Sequence, residues 1–280
     1  MNLMVPIPTI HLFAKLDRLL IDLLQSLSPD DWDQPTLSPQ WTIKDIAAHL
    51  LDGNLRTLSI ARDGYRGDPP VNVNSHRELV TYLNDLNTIW VLAYKRISPK
   101  MLIEMLATSG KEYINYLQTL DPFEPAIFPV AWAGEKESQN WFHIAREYTE
   151  KWHHQQQIRE AMGLQHALMT PELFKPCIET FMRAMPHAYK DVDAPVGTLV
   201  KVNVPGDAGG TWFVEKTFGG WRFVKNLSNA EPAAAVTIAP DLAWKLFTKA
   251  AKADSTGEEI IKEGDTALIA PALSMLSVMA

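Results

Sequence analysis

Apolar residues recur with a helical period over the first two thirds of the chain. Between Thr9 and Leu27, Ile10, Phe13, Leu16, Leu20, Leu23, Leu24 and Leu27 fall three or four residues apart, as one buried helix face requires. Ser28-Pro29-Asp30 stops this helix, and Pro35 and Pro39 make 32–40 a loop, since proline offers no backbone donor. Thr42 then reads as an N-cap with Asp45 at the capping-box position, opening a helix through Ile46, His49, Leu50 and Leu58 to about Arg62. Gly67-Asp68-Pro69-Pro70 is a predicted surface loop, and a third helix fits Ser75 to Arg96 with Leu79, Leu83, Leu86, Trp90 and Ala93 as its stripe. Ser98-Pro99 starts a fourth helix reaching about Leu120. An irregular stretch, 121–137, carries Pro122, Pro125, Pro129 and Trp132, and a fifth helix follows from about Ser138 to Met162, closed by Gly163.

Farther on the period changes. Thr170-Pro171-Glu172 opens one more helix, to about Tyr189, and then short alternating segments read as strands: 199–204, 211–215, 221–224 and 234–238. Pro240-Asp241 starts a helix through Trp244, Leu246 and Phe247, with shorter helical pieces predicted near 256–262 and 271–279. The switch from period 3.6 to period 2 divides the chain into a helical domain over 1–165 and an α+β domain over 166–280.

Composition narrows the function classes. The chain has 280 residues, 46% of them hydrophobic and 21% charged, which suits two globular domains. A net charge of −7 without an offsetting basic run argues against nucleic acid as a partner. Cys177 is the single cysteine, so no internal disulfide forms and no zinc site rests on several thiolates from this chain. Neither a signal-peptide pattern nor a run of roughly 20 apolar residues is present. A cytoplasmic protein with no membrane partner is expected.

Of the eight histidines, those in the middle of helices carry the chemical interest. Glu150 and His154 are four apart in the fifth helix, so both side chains point to one side of it. Such a pair alone is ordinary helix decoration. His49 lies between Ala47, Ala48, Leu50 and Leu51 on a different helix, which turns its imidazole inward, and metal sites in helical bundles are assembled from facing helices. Two histidines and one carboxylate leave a coordination position open, the pattern of catalytic metal ions. His153, three residues from Glu150, competes with His154 for the same role.

The segment Asp31-Trp32 through Pro35-Thr36 with Trp41-Thr42-Ile43-Lys44-Asp45-Ile46-Ala47-Ala48-His49-Leu50 resembles the mycothiol-dependent maleylpyruvate isomerase N-terminal family, a member of the DinB-like metal-binding bundles. Glu147 to Arg159 is similar to its second signature, and Gly209-Gly210-Thr211-Trp212, Gly220-Trp221 and Gly264-Asp265 resemble the sterol-carrier-like domain that commonly follows. The resemblance implies an α plus α+β protein: an up-down four-helix bundle and a smaller sterol-carrier-like domain of mixed sheet and helices. It also implies a metal triad on His49, Glu150 and His154. Where the family commonly has a glycine after the Trp-containing helix, this chain reads Thr248-Lys249-Ala250-Ala251.

The same resemblance implies thiol chemistry on a small electrophilic, maleylpyruvate-like substrate, as an isomerase or an S-transferase. A divalent cation favours thiolate over thiol, and since Cys177 reads as a core residue, an external low-molecular-weight thiol is required. Zinc is the first expectation for the ion, and nickel or ferrous iron also suits the donor set. Arg56 and Arg146 are placed to meet acidic groups of a substrate, and Asp52 to orient an imidazole. Trp132, in the long loop, and Arg222, on a strand, are candidates for cofactor contact. A metal-dependent hydrolase and a non-enzymatic binder of small molecules or lipids are the alternatives, and the chain is a monomer or a homodimer.

Overall fold

Helices form close to where the apolar period places them. The computed structural model describes residues 4–67, 73, 75–225, 230–253 and 259–279, and the chain divides into two compact units. The first comprises Met1–Ile127 with Gln139–Gln165, and the second Phe128–Ser138 with His166–Met279.

The first unit contains α1 (Phe13–Ser26), α2 (Ile43–Thr57), α3 (His76–Tyr94), α4 (Pro99–Gln118) and α5 (Asn140–Ala161). Helix α1 packs on α4 and α5, and α2 on α3, α4 and α5. The core is Leu20, Leu23, Leu24, Trp32, Ile43, Ile46, Ala47, Leu50, Leu51, Leu102, Leu106 and Ile158, all buried. Ser28 does more than stop α1, because it forms a capping box with Asp31 that begins a short 3-10 turn, Pro29–Asp33. The second helix is α only to Thr57, and Leu58–Arg62 continue it as a wider π turn. In α3 the predicted stripe is half-buried except for exposed Ala93, and Val91 is the buried residue instead. Gly163 ends α5 with φ +68°, a backbone state that costs other residues. The loop expected at 67–70 lies outside the described residues beyond Gly67.

The second unit holds a five-stranded mixed sheet of order β3-β2-β1-β4-β5. Its strands are β1 (Leu199–Val204), β2 (Gly210–Thr217), β3 (Gly220–Val224), β4 (Ala234–Ile238) and β5 (Ile260–Gly264). Strands β1 and β4 pair in parallel and the other pairs are antiparallel. One face carries Val200, Val202, Val204, Val214, Val236 and Ile238, all buried, as period-2 alternation demands. Helices α6 (Phe174–Met182), α7 (Met185–Ala188), α8 (Pro240–Phe247) and α9 (Thr266–Leu273) complete the unit.

Three expectations are corrected here. The helical piece predicted near 271–279 lies earlier, as α9 over Thr266–Leu273, because Asp265 caps its start by accepting from the Ala267 amide at 2.8 Å. The helix predicted to reach Tyr189 is broken between α6 and α7, because Pro186 lacks the amide to continue it and fits only a first turn. The helical piece predicted near 256–262 is the edge strand β5 over its last residues, with Ile260 opposite Ile238; Thr256 lies outside the described residues. Ile261 is largely exposed there, so no periodicity marks so short a strand. Lys249, just after α8, takes φ +62°, a left-handed state that glycine adopts without steric cost, within the stretch 248–251 where the resemblance expects a glycine. Among the described residues no helix is long and apolar enough to cross a membrane.

Candidate metal centre

The capping box fixes where α2 begins, and thereby where His49 points. Thr42 Oγ1 accepts from the Asp45 amide at 3.3 Å, and Asp45 Oδ2 accepts from the Thr42 amide at 3.1 Å. Lys95 pairs with Asp45 at 3.0 Å, and Trp90 Nε1 donates to the Ala48 carbonyl at 2.8 Å, so the end of α3 is fastened to this turn. His49 is seven residues past the cap, two turns along α2. Facing it on α5, Glu150 and His154 stand one turn apart, with His154 Nε2 3.4 Å from Glu150 Oε2. One donor atom from each of His49, Glu150 and His154 lies within 4.8 Å of the others.

Rings enclose this cluster. The His49 and His154 rings meet edge to face with centroids 4.7 Å apart, and Trp41 lies 4.8 Å from His49 and 6.1 Å from His154. His153 packs on His154 at 4.0 Å, and its Nδ1 lies 2.8 Å from the Thr149 carbonyl, a bond to its own helix. His154 Nδ1 is 2.9 Å from Gln157 Oε1. His49 Nδ1 is buried without a hydrogen-bond partner.

The electrostatics keep His49 and His153 neutral and Glu150 charged. Burial, helped by the neighbouring His154, pushes His49 well below the usual imidazole range. His153 is pushed down to about 4, chiefly by burial and then by His154. Burial pushes Glu150 upward, but its contact with His154 and the surrounding imidazoles outweigh it and hold the carboxyl well below its ordinary range. Metal ions bind neutral imidazole and ionised carboxylate, so the states of His49 and Glu150 already match. The orphaned His49 nitrogen and the mixed nitrogen–oxygen donor set fit one divalent cation with an open position.

The remaining predicted residues fall in different places. Arg56 pairs with Asp52 at 3.6 Å and its charge acts on His49. Asp52 is occupied by that pair, and burial raises its pKa against the pull of Arg56. Arg146 instead reaches back to His143 Nδ1 and Glu147 Oε1, each at 2.7 Å. Trp132 and Arg222 belong to the second unit, Trp132 buried and Arg222 exposed on β3, 3.8 Å from Glu215. Cys177 is buried, which pushes its thiol far up.

Sequence reasoning did not single out Trp41 or Gln157. It also missed a polar network behind the cluster. Lys151 Nζ donates to Asn54 Oδ1 at 2.5 Å and lies 4.5 Å from the centre of the Tyr113 ring, Asn54 Nδ2 donates to Ser109 at 3.0 Å, and the Tyr113 hydroxyl donates to Glu147 at 2.6 Å. The signal available was the density of polar residues, from Glu147 to Arg159, in a helix that is buried nearly throughout.

A helical unit bearing a two-histidine, one-carboxylate cluster, followed by a mixed-sheet unit, is the class of protein that fold and site define. The chain belongs to the mycothiol maleylpyruvate isomerase N-terminal domain family, whose model matches residues 13–159, more than half its length. Two solved structures share the fold, a mycothiol-dependent maleylpyruvate isomerase with a TM-score of 0.52 and a mutant of it with 0.51. Each is 11% identical, covering 92% of this chain and 94% of the other. No curated protein matches the chain.

Proposed function

We propose that the protein is a metal- and thiol-dependent isomerase acting on a small, electrophilic, maleylpyruvate-like substrate. The observation that carries the reading is the convergence of His49, Glu150 and His154 donors within 4.8 Å of one another, in a chain of this family. These three residues would hold one divalent ion, with zinc the first choice. When bound, the ion stabilises a thiolate against its thiol and leaves a position open for it.

The chain supplies no accessible thiol, because Cys177 is buried, so the nucleophile is external and mycothiol-like. The thiolate adds to the carbon–carbon double bond conjugated with a carbonyl. A carbon–sulfur bond forms and the π pair moves to the carbonyl oxygen. Rotation about the former double bond and expulsion of the thiolate restore the conjugation with inverted geometry. Atoms and electrons balance without an oxidant, and the thiol is regenerated. Arg56, partly exposed beside His49, is assigned to a substrate carboxylate, Asp52 holds Arg56, and the Trp41 ring shields the cluster from water.

The packing of α1, α2, α4 and α5 on one another supports a DinB-like four-helix bundle with α3 outside it. The sheet order β3-β2-β1-β4-β5 is the ground for reading the second unit as sterol-carrier-like.

The test is a two-stage measurement on the full chain. Purified protein should carry about one equivalent of zinc by elemental analysis, and His49→Ala and His154→Ala should each lose it. The loaded protein should then accelerate cis-to-trans conversion of maleylpyruvate only with added thiol. Stoichiometric metal in both variants refutes the cluster, and thiol-independent turnover refutes the reaction.

A further inference from the structure

We propose that Gln157 is a positioning residue: its side-chain carbonyl holds the proton of His154 on Nδ1, so that Nε2 faces the cluster bare. The inference rests on the metal reading above and assigns a role to a residue outside the triad. An imidazole ligates only through an unprotonated nitrogen, and the partner of the other nitrogen decides which tautomer prevails. His154 presents both halves of that arrangement. Its Nε2 lies 3.4 Å from Glu150 Oε2, inside the cluster, while its Nδ1 lies 2.9 Å from Gln157 Oε1.

Gln157 is suited to the task by position. It stands three residues after His154 on the same helix, one turn along, and is buried with a relative exposure of 5%, so water does not compete for its carbonyl. Its neighbours in the glutamine run do not share the role. Gln156 Nε2 donates to the Gln165 carbonyl, and both amide atoms of Gln155 are buried without partners. His153 touches the His154 ring but is bonded to the Thr149 carbonyl.

The experiment measures zinc affinity of the full metal-free chain by competition with a chromophoric chelator, alongside circular dichroism and urea denaturation. Gln157→Leu keeps the volume and removes the acceptor, and it is expected to weaken zinc binding by about 10- to 100-fold with the fold intact. Gln157→Glu, which accepts the same proton, is expected to bind zinc at least as tightly as the wild type. A Gln157→Leu affinity within about threefold of wild type, while His154→Ala loses zinc, overturns the positioning role and leaves the metal reading standing. Equal zinc binding by wild type and His154→Ala refutes the metal reading itself. Should Gln157→Leu not fold, Gln157→Glu decides alone, because a tenfold loss in that variant also overturns the proposal.

Discussion

Replacing His143 with asparagine should remove a defined part of the acid sensitivity of this protein. His143 is buried on α5, and its Nδ1 accepts from Arg146 Nη2 at 2.7 Å. Burial, followed by the charge of Arg146, lowers its pKa from 6.5 to about 4. Between those values the unfolded chain takes up a proton that the folded chain refuses. Stability from this residue is therefore present above pH 6.5 and is lost as the pH falls toward 4. Taking 6.5 unfolded and about 4 folded, the loss between pH 7 and pH 5 is about 2 kcal/mol. Asparagine puts Oδ1 where Nδ1 accepts from Arg146 and does not titrate. The depressed His49 and His153 remain in both proteins and cancel in the difference. Urea denaturation followed by tryptophan fluorescence, at several pH values from 7 to 5, measures it. The stability of wild type minus that of His143→Asn should fall by about 2 kcal/mol over this range. Curves that stay parallel to within about 0.5 kcal/mol would refute the assignment of a depressed pKa to His143.

Two further outcomes follow from the packing. Asn54→Ala removes the amide oxygen from Lys151 Nζ and the amide donor from buried Ser109, and should destabilise the first unit by roughly 1–3 kcal/mol in urea denaturation, since it takes a hydrogen-bond partner from a half-buried charge and from a buried hydroxyl. Lys249→Gly should stabilise the protein by about 0.5–1 kcal/mol, read as a rise in melting temperature, because a lysine at φ +62° bears a left-handed penalty that exceeds the extra chain entropy of glycine.

The fold and the candidate site were legible to different depths. Helices α1 to α5 follow from apolar spacing and caps such as Thr42 with Asp45, because the period is set by local geometry and survives in one dimension. The Glu150–His154 pair is visible for the same reason, and His49 because an imidazole among alanines and leucines has to turn inward. Strand β5 was not legible, because a five-residue edge strand with Ile261 exposed buries too little to impose a pattern.

The two arginines show where spacing arguments end. Arg146 stands four residues before Glu150, and Arg56 seven after His49, so a helical wheel puts each beside a residue of the cluster. Side chains on a helix, however, lean toward its N-terminus. Arg146 thus reaches away from Glu150, to His143 and Glu147, whereas Arg56 leans back along α2 to Asp52 and toward His49. The same lean lets Gln157 reach back to His154. Direction along the axis, which a wheel discards, therefore separates the arginine that stays beside the cluster from the one spent on His143 and Glu147, and it sets the Gln157 amide against His154.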